Sequence, residues 1–441
     1  MFNNVRKRLS TAVVMLLVAA LAVGSTGCGK TSEAGAEATK SEQTAAAAET
    51  TATTEAATEE LKPEAGAKLK VWDAGGSEKD WMKEVTKKFE EQYGVPVKFE
   101  GISLGDIPAK LKTDAPAKLA ADVFCVAHDN MGGLVKAGLV YPNDVSDMNE
   151  FVDAAKTAVT YEGVVYGYPA TLDTYAMFYN KKLIKEAPKT FDEIIEYSKT
   201  FNDLKQKKYG FMFEVGNLYF NYAFVAGFGG YVFGKDGTDA NDIGINNEGT
   251  VEAFKYLQKI KEILPLNSAN ITYDIKNALF KEGKLAFDLN GPWAVDGYRD
   301  AKVDFGVCPL PTLPNGKQPV SFSGVRTYFV NSYTQYPNAA KLFAKFITSK
   351  DMLKLRYTIT QQIPPRVDLM DDADIKSNPM SAAFLEQAKS SQPMPSIPEM
   401  SLVWPPVGNA LQENWNKGGD PKPLLDKAVQ NIKDSISRQA K

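Results

Sequence analysis

Residues 68–102, "KLKVWDAGGSEKDWMKEVTKKFEEQYGVPVKFEGI", decide the fold. "KLKVW" alternates apolar and polar side chains, the period-two pattern of a strand. Ser77 and Asp80 suit a helix start; Trp81, Val85, Phe89 and Tyr93 then recur at helical spacing until Gly94-Val-Pro ends the run. "VPVKFEGI" alternates again. A second helix is expected over roughly residues 106–119, followed by "ADVFCVA" at 121–127, a short apolar run that suits a strand buried on both faces. Strand–helix–strand–helix–strand is the opening of a doubly wound α/β lobe.

The next segment, "YEGVVYGYPATLDTYAMFYN" at 161–180, is rich in Tyr and β-branched residues and reads as paired strands crossing between two bodies. Thr190-Phe-Asp-Glu193 is a capping box that opens a helix, and Val251, Phe254, Leu257, Ile260 and Leu264 share one helical face that ends at Pro265. "KLAFDLNGPW" and "KVDFGVCPLPT" read as further strands, "FSGVRTYFVN" as a second crossing, and the chain beyond Pro337 as mostly helical. A chain that leaves one α/β lobe, builds another and returns makes a bilobal protein. The expected lobes are residues 67–172 plus 328–374 and residues 173–327 plus 375–441. Hinge crossings are expected near 172–175, 324–328 and 373–379. Ligands of open α/β sheets bind at the carboxyl ends of the strands, so the cleft between the lobes is the expected site.

The N-terminus belongs to a different class of segment. Arg6, Lys7 and Arg8 precede an apolar run over 9–23, the pattern of a secretory signal peptide over 1–27. It ends in "GSTGC", which resembles a bacterial lipobox, with Ser25 where a Leu is usual and Cys28 as the lipidated residue. Residues 28–66 hold no aromatic and few large aliphatic side chains, so they read as a disordered tether spanning on the order of 35 Å. An anchored protein on the outer face of the cell membrane follows from that reading.

Bulk composition excludes other classes. The 441 residues are 44% hydrophobic and 24% charged, and a net charge of −3 with both signs interspersed gives no basic footprint for nucleic acid. With one histidine and three cysteines, no metal shell and no cofactor are expected. Cys125 and Cys308 sit in apolar runs assigned to different lobes and read as small core residues rather than a disulfide. His128, next to Asp129, would have to serve any Ser-His-Asp or Cys-His arrangement, yet no nucleophile elbow accompanies it. Asp129, Asp173, Glu214 and Asp288 could supply a glycosidase pair, but the sequence gives no distance between any two. Sugar rings call for flat aromatic platforms and for carboxylates or amides that bond hydroxyls. Tyr219, Trp293 and Trp404 stand at element ends, as do the carboxylates, and suit that use.

The pieces "ADVFCVAHDNMGG", "YPATLDTYAMFYNKKL", "YDIKNALFKEGKLAFDLNGPWA" and "PMPSIPEMSLVW" settle more. From Lys68 to the C-terminus the chain resembles the maltose/maltodextrin-binding proteins, the extracellular components of ABC sugar importers. The resemblance implies a bilobal periplasmic-binding-protein-like fold that captures malto-oligosaccharides by hinge closure and delivers them to membrane permease subunits. It implies a monomer, no catalysis, and a structural role for His128. It makes Asp129 and Asp173 hydroxyl acceptors and Trp404, Trp293 and Tyr219 aromatic platforms. Several positions depart from the family pattern: an acidic–basic pair becomes Gly76-Ser77, an Arg becomes Asn130, a Glu becomes Asn217, a Glu becomes Asp173, a Trp becomes Val126 and a Tyr becomes Pro405. Glu78, Trp81 and Glu214 are the candidates to compensate, each weighed against a surface or core role. Two alternatives stay open: the same fold taking a cyclic or differently linked glucan, and a surface glycoside hydrolase.

Overall fold

The computed structural model describes residues 61–439. In chain order its strands are β1 (Leu69–Asp73), β2 (Val97–Gly101), β3 (Val123–Ala127), β4 (Thr160–Tyr161), β5 (Val164–Val165), β6 (Tyr168–Asp173) and β7 (Ala176–Asn180). They continue with β8 (Tyr209–Met212), β9 (Asp239–Ile243), β10 (Leu285–Asn290), β11 (Phe305–Cys308), β12 (Ser321–Val330) and β13 (Ser391–Pro393). β1 pairs in parallel with β2 on one side and β3 on the other, with helix Glu78–Tyr93 as the first crossover. The helix buries Trp81, Met82, Val85 and Phe89, and Gly94 ends it in the left-handed conformation. The α/β opening expected from residues 68–127 is therefore present. The second helix is shorter than expected, Ile107–Asp114, because Pro116 lacks the N–H needed to continue it.

Two sheets form the two lobes of the bilobal body. The first lobe's sheet runs β12-β3-β1-β2, with β6 also on β12; the second's runs β11-β7-β10-β8. β13 pairs with the start of β12, Ser321–Ser323, where Phe322 packs into the second lobe's core. The segment 161–180 does form paired strands that cross between the sheets: β4 pairs with β5, while β6 and β7 pair with other strands and not with each other. β6 lies antiparallel to β12 in the first sheet, and β7 lies between β10 and β11 in the second. The backbone thus changes sheet over Thr174 and Tyr175. In β12, pairing with β6 begins at Gly324, opposite Asp173, so the boundary expected at 327/328 falls inside the first sheet's ladder. Each lobe has its own apolar core, one around Trp81, Phe89, Tyr328 and Phe343 and the other around Phe178, Phe224, Phe254 and Trp415. Cys125 and Cys308 are free thiols in these separate lobes.

Residues 61–66 were expected to belong to the tether, yet Glu64 accepts backbone N–H groups of Asn338 and Ala339 at the start of helix Pro337–Ile347. A carboxylate at a helix N-terminus satisfies donors that have no partner within the helix. The folded body therefore begins before Lys68. The expected signal peptide, Cys28 and the tract up to Glu60 lie outside the described residues.

Gly132, the first glycine of "HDNMGG", brings the lobes together. A Cβ on Gly132 would lie 2.5 Å from the Ser396 carbonyl and 2.7 Å from the Pro398 nitrogen. Only glycine lets helix Met131–Lys136 approach the Pro398–Leu402 segment this closely.

Candidate functional site: an interlobe cleft

Where the carboxyl ends of the first sheet face the second lobe, a cavity of about 770 Å³ is lined from both sides. Asp129, Asn130, Asp173, Glu214, Asn217, Tyr219, Trp293, Trp404 and Glu78 all line it. Ser77 does not. It precedes helix Glu78–Tyr93 without making a side-chain cap.

Asp129 stands two residues beyond the end of β3, in the short 3-10 turn His128–Asn130. Its Oδ2 accepts the indole N–H of Trp404 at 3.2 Å and its Oδ1 accepts the amide of Asn130 at 3.2 Å. Asn130 also bonds the Ala127 carbonyl at 3.1 Å, so its side chain serves the turn as well as the wall. Trp404 opens helix Trp404–Lys417, and Pro405 and Pro406 fit the first turn, where an N–H has no partner in the helix. The Asp129–Trp404 bond joins the two lobes across the cleft.

Aromatic rings continue along the second lobe. Phe322 meets Trp404 edge-on at 6.2 Å, Tyr219 stacks on Phe322 at 6.4 Å, and Trp293 lies 6.3 Å from Tyr219. Trp293 can fold back because residue 291 is glycine; a Cβ there would lie 2.1 Å from its ring. Asn217 caps helix Leu218–Gly227 by accepting the Tyr219 N–H at 3.0 Å, and its amide reaches Glu214 at 3.4 Å. These are stacking surfaces with amides and carboxylates at their edges, which is what a sugar ring and its hydroxyls require.

Burial raises the Asp129 carboxyl to about 7, against the opposing pull of Trp404 and Asn130. Burial also raises Glu214, partly offset by Lys276. Burial lowers His128 to about 4. The His128 ring lies between lobes: Val325 N–H donates to Nδ1 at 3.2 Å, which leaves Nε2–H to donate to the Met394 carbonyl at 3.0 Å. Both ring nitrogens are spent on backbone, so the only histidine of the chain is a structural tie. Trp81, weighed as a cleft residue, is instead fully buried, with its indole N–H on the Met352 carbonyl.

Two features were not read from the sequence. Arg326 on β12 lines the cleft, and its Nε donates to Asp173 at 2.6 Å while Nη1 donates to Glu78 at 2.6 Å. Gln362 also donates to Glu78, at 2.7 Å, and accepts from Arg356 Nε at 3.0 Å. Burial acts to raise Glu78, but Arg326, Arg356 and Gln362 outweigh it and hold the carboxyl below its ordinary range. The lone charge inside "FSGVRTYFVN" was the available signal. The second feature lies beneath the second lobe's wall: Lys276 and Asp288, both fully buried, pair at 2.8 Å. Asp288 also accepts from Asn290 at 2.8 Å and from Tyr298 at 2.5 Å. Among the described residues, no group of three His, Cys, Asp or Glu side chains converges as a metal shell would require.

The raised Asp129 predicts a pH-dependent site. A sugar hydroxyl that donates to this carboxylate favours its ionised form. Below about pH 7 binding must therefore release a proton, and affinity falls by up to about tenfold per pH unit; above about pH 8 it is flat. Calorimetry at pH 6 in buffers of different ionisation enthalpy measures that proton release. Asp129→Asn is expected to abolish it.

Comparison with known proteins agrees with this geometry. Residues 75–354 match the family profile described as bacterial extracellular solute-binding protein. The maltooligosaccharide ABC transporter solute-binding lipoprotein of Streptococcus pneumoniae (strain ATCC BAA-255 / R6) is 33% identical over 369 residues, 82% of this chain and 87% of that one. The galactooligosaccharide-binding protein of Bacillus subtilis (strain 168) is 33% identical over 383 residues, 84% of this chain and 90% of that one. Among solved structures, the Thermus thermophilus maltotriose-binding protein bound with maltotriose superposes with a TM-score of 0.79 at 32% identity, covering 83% of this chain and all of that one. The fold, the cleft and these matches lead to one assignment: the chain belongs to the bacterial extracellular solute-binding protein family.

Proposed function

We propose that the protein captures malto-oligosaccharides in the interlobe cleft by hinge closure and delivers them to the permease of an ABC importer. One observation carries the reading: a cavity walled by the Trp293–Tyr219–Trp404 aromatics of one lobe faces Asp129 of the other, and the Asp129–Trp404 bond spans them. A sugar that touches both lobes binds the closed form better and shifts the population toward it. Each hydroxyl dehydrated on closure must find a partner, which is the source of specificity. The crossings at Asp173–Thr174, Ser323–Gly324 and Asn378–Pro379 are the proposed hinges.

The protein acts as a monomeric receptor rather than an enzyme. The relative named a lipoprotein supports attachment to the outer face of the membrane through Cys28. Calorimetric titration of the purified protein with maltotriose, alongside galactotriose, cellotriose and xylotriose, tests the ligand. Saturable heat with maltotriose supports the reading, and silence with maltotriose overturns it. A galacto-oligosaccharide is the second reading, favoured by the changed wall positions Asn130, Asn217 and Asp173 and by the relative of that name.

A further inference from the structure

Arg326 is unusual among the groups lining the cleft. Its residue is only 6% exposed, so the guanidinium has lost most of its water. Nε is held by Asp173 and Nη1 by Glu78, each at 2.6 Å, and the guanidinium carbon stands 5.6 Å from the centre of the Trp293 ring. Nη2 bonds no side chain or backbone group among the described residues. It is also not enclosed, in contrast to Nη2 of Arg356, which is buried without a partner. With the other two nitrogens fixed by carboxylates from helix Glu78–Tyr93 and β6, the planar group cannot rotate, and Nη2 is the nitrogen of this cleft-lining residue left without a protein partner among the described residues.

We propose that Arg326 is a ligand-contacting, specificity-determining residue, with Nη2 donating to a hydroxyl or ring oxygen of the sugar seated beside Trp293. This rests on the reading of the cleft as an oligosaccharide site. Two carboxylates already surround the one guanidinium, so the site has no excess positive charge. It suits a neutral sugar oxygen, not a uronate or a phosphate. The same contacts redefine Asp173. Its Oδ2 accepts Arg326 and its Oδ1 accepts the Thr171 hydroxyl at 2.9 Å, so it meets the sugar as an oriented acceptor and not a free one. A lysine could not reproduce the arrangement, because a single ammonium lacks the fork that binds two carboxylates and still points a donor at the ligand.

The test takes whichever of maltotriose or galactotriose the wild type binds, together with its monodeoxy analogues, and titrates wild type and Arg326→Lys calorimetrically. In wild type, one analogue is expected to lose about tenfold to a hundredfold, the worth of a hydrogen bond to a charged group. In Arg326→Lys the parent sugar weakens, and that one penalty disappears while the others persist. Equal penalties in both proteins, or unchanged parent affinity, overturn the proposal and leave the ligand class standing. A wild type that binds neither sugar overturns both. Should Arg326→Lys fail to fold, ¹⁵N spectra of wild-type arginine side chains decide, with Arg326 assigned by its proximity to the Trp293 indole. A shift of its Nη signals on sugar saturation supports the contact, and no shift overturns it.

Discussion

Trp404→Ala is expected to lower sugar affinity by about a hundredfold, or about 2.7 kcal/mol, with the fold intact. Two losses combine. The sugar loses the ring that ends the aromatic row, and Asp129 loses the N–H that holds its Oδ2 at 3.2 Å. Trp404 is only partly buried and stands at the first turn of its helix, so its removal leaves no large core cavity. Trp404→Phe separates the two terms. It keeps a stacking face without the donor, and about a tenfold loss is expected. Calorimetry gives both values, and a Trp404→Ala affinity within threefold of wild type would remove Trp404 from the site.

Lys276→Met is expected to have the largest effect on stability, about 3–5 kcal/mol, because it strands the Asp288 carboxylate in a site with no solvent exposure. Breaking such a pair costs more than the pair contributes, since the remaining charge has already lost its water. Asn290 and Tyr298 donate to the other oxygen, so Asp288 keeps partial compensation. Lys276→Met with Asp288→Asn removes both charges and is expected to recover most of the loss. Denaturant unfolding measures both variants, and a single variant as stable as wild type would show that the buried charge is compensated elsewhere. The lysine also lies 5.8 Å from the Phe220 ring and 5.3 Å from the Tyr273 ring, both on the cleft wall, so the pair supports the floor beneath the sugar.

Local pattern was enough to expose most of the architecture. "KLKVW" and "ADVFCVA" became β1 and β3, and Thr190 caps its helix by accepting the Glu193 N–H at 3.2 Å. In that capping box Glu193 reaches back to the N–H of Lys189, not Thr190, at 2.7 Å. Such features depend on neighbours within a turn or a strand, so periodicity reports them. Apolar spacing overstates the second helix, because it continues past Pro116, where the missing N–H does not allow the helix to follow. Composition overstates the length of the tether, because it cannot register one anchoring carboxylate, Glu64, set against a helix that begins at Pro337.

By itself the sequence determined the strand–helix alternation of the first lobe, the bilobal fold class, the placing of a cleft at the crossings, and the residue types that wall it. The resemblance identified most of those wall residues. Tertiary structure alone decided how they are used. Arg326 meets Glu78 across 248 positions and Asp173 across 153, and Trp404 meets Asp129 across 275. Separations of that size leave no periodic trace. Whether a carboxylate is free to grip a hydroxyl or is already bonded to an arginine depends on which distant strand lies beside it. Burial is set in the same way: Asp129 and Asp147 are the same residue type, yet the first is enclosed between two lobes and raised to about 7, while the second bonds the Asn149 N–H in an exposed turn. A charge's cost comes from the water it has lost, and only the assembled lobes determine that loss.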